Sequence, residues 1–100
     1  MTQLHLIQSP INFQDFAEHY ARCVEKSDSI LFLNDSLFSL TTKEFNSFSF
    51  HELTVDNSIY CIQEQIQARA ISDLLSKTIT ATDYYNFVDL SQNAQKIVSW

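Results

Sequence analysis

Short apolar runs alternate with helix-period segments along the whole chain, and this alternation narrows the fold more than any single motif. Residues 3–7 (QLHLI), 29–33 (SILFL), 58–62 (SIYCI), 78–82 (TITAT) and 95–100 (QKIVSW) have the length and the apolar or β-branched content of strands. Between the first two, Asn12 offers an N-cap, with Asp15 and Glu18 where the helix dipole favours acids. Phe13, Phe16, Ala17, Tyr20, Ala21 and Val24 recur at three and four residues, predicting a helix to about Lys26. A second helix is expected over 64–76, with Ile66, Ala70 and Leu74 on one face, and a third from Asp83, carrying Tyr84, Phe87, Val88 and Leu90. After the second strand, Asn34-Asp35-Ser36 turns the chain and Leu37, Phe38 and Leu40 fit a short helix. Phe48 and Phe50 alternate with serines there, which predicts an edge strand or extended loop. Strands alternating with helices imply α/β architecture: a small three-layer α/β/α domain with a mostly parallel sheet of four to five strands. Strand order stays open.

One hundred residues are enough for one domain, spanning 1–100, and leave no room for a second. Twelve acids against six bases give a net charge of −6, and the bases (Arg22, Lys26, Lys43, Arg69, Lys77, Lys96) are scattered singly. Such a surface has no basic stripe for phosphates and is repelled by anionic membranes, so neither nucleic acid nor membrane is an expected partner. No apolar stretch approaches the ~20 residues of a membrane span. No positively charged start leads into an apolar run, so a cytoplasmic location is expected. Glycine is absent, which removes every phosphate loop and nucleophile elbow that needs a Cβ-free backbone.

The chemistry-bearing residues do not assemble into a catalytic set. His5, His19 and His51 are far apart in sequence, no CxxC or HxxxH spacing occurs, and no metal or other cofactor is expected. His19 and Cys23 share a helix four residues apart, but a zinc site wants three or four protein ligands. Cys61, inside a strand, reads as a core thiol that desolvation makes inert. Cys23, beside Arg22 and Lys26, is the more plausible exposed thiol, although its mid-helix position next to Glu25 argues against reactivity. His5, within an alternating strand, reads as a satisfied core histidine. Catalytic residues are therefore none, with Cys61 and Cys23 as the only candidates. Large apolar groups crowd the connection between the second and third strands, where Phe38, Phe45, Phe48 and Phe50 either fold back on the core or form an interface. These four and Trp100 are the interface candidates.

Taken in order, Leu4-His5 and Ser9-Pro10, Asp35 after the second strand, Ile59-Tyr60 with Glu64 and Ala68-Arg69, Asp83-Tyr84 with Phe87-Val88, and the terminal Trp100 resemble the TusB/DsrH family over nearly the whole chain. The resemblance implies a DsrE/F/H-like fold and a place in a cytoplasmic sulfur relay, as the B-type subunit of a sulfurtransferase complex. In such complexes B-, C- and D-type (TusC-like and TusD-like) subunits form a heterohexamer, a dimer of heterotrimers. The complex takes persulfide sulfur from a TusA-like donor and passes it to a TusE-like acceptor, toward 2-thiolation of the wobble uridine in tRNA processing. The transferring cysteine belongs to the D-type subunit, so the resemblance implies a structural rather than catalytic role here. The alternatives are a thiol carrier using Cys61 or Cys23, and a DsrH-like subunit in sulfur oxidation. Two departures matter. Where relatives carry Gly after the Ala-Arg pair this chain has Ala70, which predicts a helix running on through Leu74. Some DsrH-type members carry a first-helix cysteine about one turn before Cys23, nearer Tyr20, which favours the TusB branch.

Overall fold

The computed structural model describes residues 3–75 and 79–99. Strand β1 (Gln3–Ile7) leads into helix α1 (Phe13–Cys23), then strand β2 (Ser29–Phe32). A 3₁₀ helix (Asn34–Thr41) and helix α2 (Phe48–Leu53) carry the long connection to strand β3 (Ser58–Ile62). Helix α3 (Gln63–Arg69) and a 3₁₀ turn (Ser72–Leu74) precede strand β4 (Ile79–Thr82), and helix α4 (Tyr84–Asn93) returns the chain to strand β5 (Lys96–Ser99).

All five strands are parallel, in the order β4-β3-β2-β1-β5. The chain steps one way from β1 to β4, and α4 then carries it back across the sheet to the far side of β1. Right-handed crossovers put α1, α2 and α3 on one face and α4 on the other, and the apolar clusters divide accordingly. The larger joins Ile7, Ile30, Phe32, Ile59, Cys61 and Ile79 of the sheet to Phe16, Leu37, Leu40, Phe45, Phe50, Ile66 and Ile71. The smaller sets Leu4, Leu31 and Ile62 against Phe87, Leu90 and Ala94. Three layers are present, unevenly filled.

Local chemistry explains the element ends. The Asn12 side chain accepts from the Asp15 amide at 2.8 Å and starts α1, as its sequence predicts. The helix stops at Cys23, short of Lys26, because Val24 is already extended and Ser27 takes a left-handed φ of 70°. Asp83 likewise caps α4 by accepting from the Asn86 amide at 2.7 Å.

Two stretches fold differently from expectation. Around Phe48 and Phe50 the chain is helical, not extended: Ser47 accepts from the Phe50 amide and opens α2. The alternation with serines misleads because Phe45 and Phe50, five residues apart, are both drawn into the core. The helix expected over 64–76 ends at Arg69. Ala70 adopts φ 54°, ψ 42°, its amide bonds back to the Gln67 carbonyl, and the Ile71 amide reaches the Ile66 carbonyl at 3.4 Å. This is a left-handed helix terminator of the kind that ordinarily uses glycine. An alanine there costs about 1–2 kcal/mol. Reversing the chain buries Ile71 against Ile66, and burying such a side chain contributes roughly 1.5–3 kcal/mol, enough to offset the strain.

Candidate functional site

Cys61 lies in β3 between β2 and β4, with 0% of its surface exposed and its Sγ 3.9 Å from the Thr80 carbonyl oxygen. Burial pushes its pKa up to about 11. At neutral pH only about one molecule in 10⁴ would hold the nucleophilic thiolate. Cys23 is exposed, the last residue of α1, at the end where a helix presents carbonyl oxygens rather than anion-binding N–H groups. Both cysteines are free thiols. Among the described residues, no group of three or more His, Cys, Asp or Glu side chains could hold a metal ion.

The phenylalanine-rich connection turns mostly inward. Phe45 and Phe50 are fully buried and pack mostly edge-to-face with Phe13, Phe16 and Phe32, with ring centroids 5.3 Å apart for Phe45–Phe50 and 5.5 Å for Phe16–Phe45. They are core residues, so neither offers a side chain to a partner; each gains more from the aromatic cluster than a solvated loop could give. Phe38 remains 47% exposed. The Phe48 side chain and Trp100 lie outside the described residues.

At the amino ends of the strands a buried polar network forms that the sequence does not announce. Asp28, immediately before β2, is fully buried, as is His5 of β1, and His5 Nε2 lies 3.0 Å from its Oδ2. The same carboxylate accepts from the Gln3 and Glu25 amides at 3.0 Å each. Burial alone would raise the Asp28 pKa, but the two amides and His5 outweigh it and hold the carboxyl below its ordinary value. Asn57, before β3, donates to the carbonyls of Glu25 and Asp28 at 2.9 Å and receives the Tyr20 hydroxyl. Nearby, burial, with help from the Arg22 and His5 charges, lowers the pKa of His19, which is half-buried. The network ties the connections that lead into β2 and β3 to strand β1 at the foot of the sheet, and His5 sits in the core with Asp28 as its partner.

At the carboxyl ends, three successive strand exits each contribute one residue to a surface chain. Asn34, just past β2 with φ 56°, donates its amide to the Gln65 side chain at 2.9 Å, and the Gln65 amide group returns a bond to Asn34 Oδ1 at 3.2 Å. Gln65, in the first turn of α3, also donates to the Tyr84 hydroxyl at 3.1 Å, at the start of α4. Arg69 bonds the Gln65 carbonyl at 3.3 Å, lies 3.6 Å from Asp35, and holds its guanidinium 6.0 Å from the centre of the Phe38 ring.

Residues 8–97 match the DsrH like protein family. The chain belongs to the DsrH-like family. It is 26% identical to a protein of Photorhabdus laumondii subsp. laumondii named Protein TusB, over 80% of this chain and 82% of that protein. Its fold is similar to the crystal structure of the ychN protein from E. coli, with a TM-score of 0.71 over the whole of both chains at 8% identity. That likeness bears on the fold alone. For this DsrH-like chain it agrees with the all-parallel, helix-covered sheet described above. No described helix is long and apolar enough to cross a membrane.

Proposed function

We propose that this chain is a non-catalytic structural subunit of a cytoplasmic sulfurtransferase relay complex. In this reading it assembles with TusC-like and TusD-like subunits as a dimer of heterotrimers. The complex accepts persulfide sulfur from a TusA-like carrier and hands it to a TusE-like one, toward 2-thiolation of wobble uridine in tRNA. Family membership across residues 8–97 and the similarity to Protein TusB support the relay context. The observation that carries the non-catalytic role is the burial of Cys61: a persulfide must be handed between proteins, and a sulfur at 0% exposure with a pKa near 11 can neither meet a donor nor attack one.

Co-expression with the C- and D-type proteins of the same host tests this. A stable complex containing all three is the expected result, and sulfur transfer through it should persist in the Cys23→Ser, Cys61→Ala double variant. A chain that ignores both partners sinks the proposal. One observation favours a second reading, a thiol carrier: Cys23 is exposed. Incubation with a persulfide donor followed by intact mass separates the two, since a sulfur adduct lost in Cys23→Ser belongs to the carrier reading.

A further inference from the structure

We infer that the strip at the carboxyl ends of β2, β3 and β4, running from Phe38 through Arg69 and Gln65 to Tyr84, is a docking surface for a protein with a Lys- and Arg-rich rim. Its ends and edge are exposed, Phe38 at 47%, Tyr84 at 51% and Asp35 at 72%, while Gln65 and Arg69 between them are half-buried. Yet these side chains are held in one arrangement by contacts with each other. Gln65 is fixed at both ends of its amide, by Asn34 and Tyr84. Arg69 is fixed three ways, by Asp35, the Gln65 carbonyl and the Phe38 ring. Asn34 holds a left-handed φ of 56° to take part. A surface whose side chains are ordered in advance loses less entropy on binding, and Phe, Tyr and Arg are residues that protein interfaces favour.

Charge selects the occupant. Asp35, Glu64 in the first turn of α3 and Asp83 at the N-cap of α4 lie along the strip, and among the described residues there the one cation is Arg69, which Asp35 already engages. Helix α4, which begins at Tyr84, adds Asp89 and no basic residue. Phosphate backbones and anionic lipid are therefore repelled. A second copy of this chain would bring the same acids face to face, a like-charge juxtaposition that interfaces avoid. A partner that surrounds an apolar projection with lysines and arginines meets both the aromatic ends and the acidic rim. This goes beyond the relay reading, because a subunit can join a complex through other faces and leave this strip open.

Photo-crosslinking tests it. Phe38 and Tyr84 are replaced one at a time by p-benzoylphenylalanine in the full chain, expressed in its own host beside its natural partners. Val55, 75% exposed and at the opposite end of β3, serves as the control position. The expected result is that both strip positions trap the same basic segment of one protein, sequenced by mass spectrometry. The yield should fall about tenfold when Glu64→Lys is added, as removal of electrostatic steering does. Trapping of a second copy, trapping of an acidic or uncharged segment, indifference to Glu64→Lys, or no crosslink above the Val55 control would each overturn the proposal. Co-purification with the C- and D-type proteins is scored in the same cells, so the docking surface and the relay reading can fail separately.

Discussion

At the scale of single residues, two buried acids, Asp28 and Cys61, have pKa values displaced in opposite directions, and each makes stability depend on pH. Asp28 is held charged by the Gln3 and Glu25 amides and by His5, and its folded pKa lies below the ordinary 3.8. Its stabilising effect is complete above the unfolded value and is lost as the pH falls through the folded one, so the part of acid unfolding that Asp28 controls should begin below about pH 4. Asp28→Ala strands two amides and an imidazole, and denaturant melts should show a loss of about 3–5 kcal/mol, the usual result of breaking a buried pair. Cys61 works the other way. Its folded pKa of about 11 exceeds the reference 9.0, so the native state keeps a proton that the unfolded chain gives up. Stability should decline between about pH 9 and 11, by about 2–3 kcal/mol in all, and Cys61→Ala should abolish that part of the decline. A thiol reagent gives the simplest check: one fast equivalent, Cys23, in the native protein and two after denaturation. Two fast equivalents in the native protein would contradict the buried sulfur.

At the scale of elements, Ala70 is the clearest case of backbone geometry set by tertiary packing against local preference. Its left-handed conformation suits glycine, so Ala70→Gly should raise stability by about 1 kcal/mol, read as a higher denaturant midpoint at unchanged slope. Had α3 continued through Leu74, as an alanine invites, the same change would lower stability by a similar amount; the sign of one measurement distinguishes the two structures. This is also where legibility in the sequence ends. The five strands, the cap at Asn12 and the cap at Asp83 could all be read, because apolar runs and capping side chains act over a few residues. The end of α3 and the fold of 48–53 could not, because each is decided by what Ile71, Phe45 and Phe50 reach across the domain. The same distinction governs the sites. Cys61 was legible as a core thiol from its strand, whereas His5 meets Asp28 across 23 residues and Asn34 meets Gln65 across 31. No local pattern encodes either pairing.

For the whole molecule, the uneven filling of the layers matters most. On the α4 side no α4 residue is fully buried, and Tyr85, Val88 and the edge-strand residue Ile97 are exposed. Apolar surface of this kind, on a chain of net charge −6, sets two forces against each other in the isolated protein. Burial of Tyr85, Val88 and Ile97 draws copies together, while their common charge holds them apart. Salt weakens only the second force, as the Debye length falls from about 10 Å at 0.1 M to about 3 Å at 1 M. Self-association of the lone chain, followed by sedimentation velocity, should therefore strengthen as salt is raised, and Val88→Lys should suppress it. Docking at the acidic strip depends on attraction between unlike charges and should weaken over the same range. If both contacts used one surface, a single substitution would move both. With two surfaces, Val88→Lys should leave crosslinking at Phe38 intact, and Glu64→Lys should leave self-association unchanged or slightly stronger, since it removes a repelling charge.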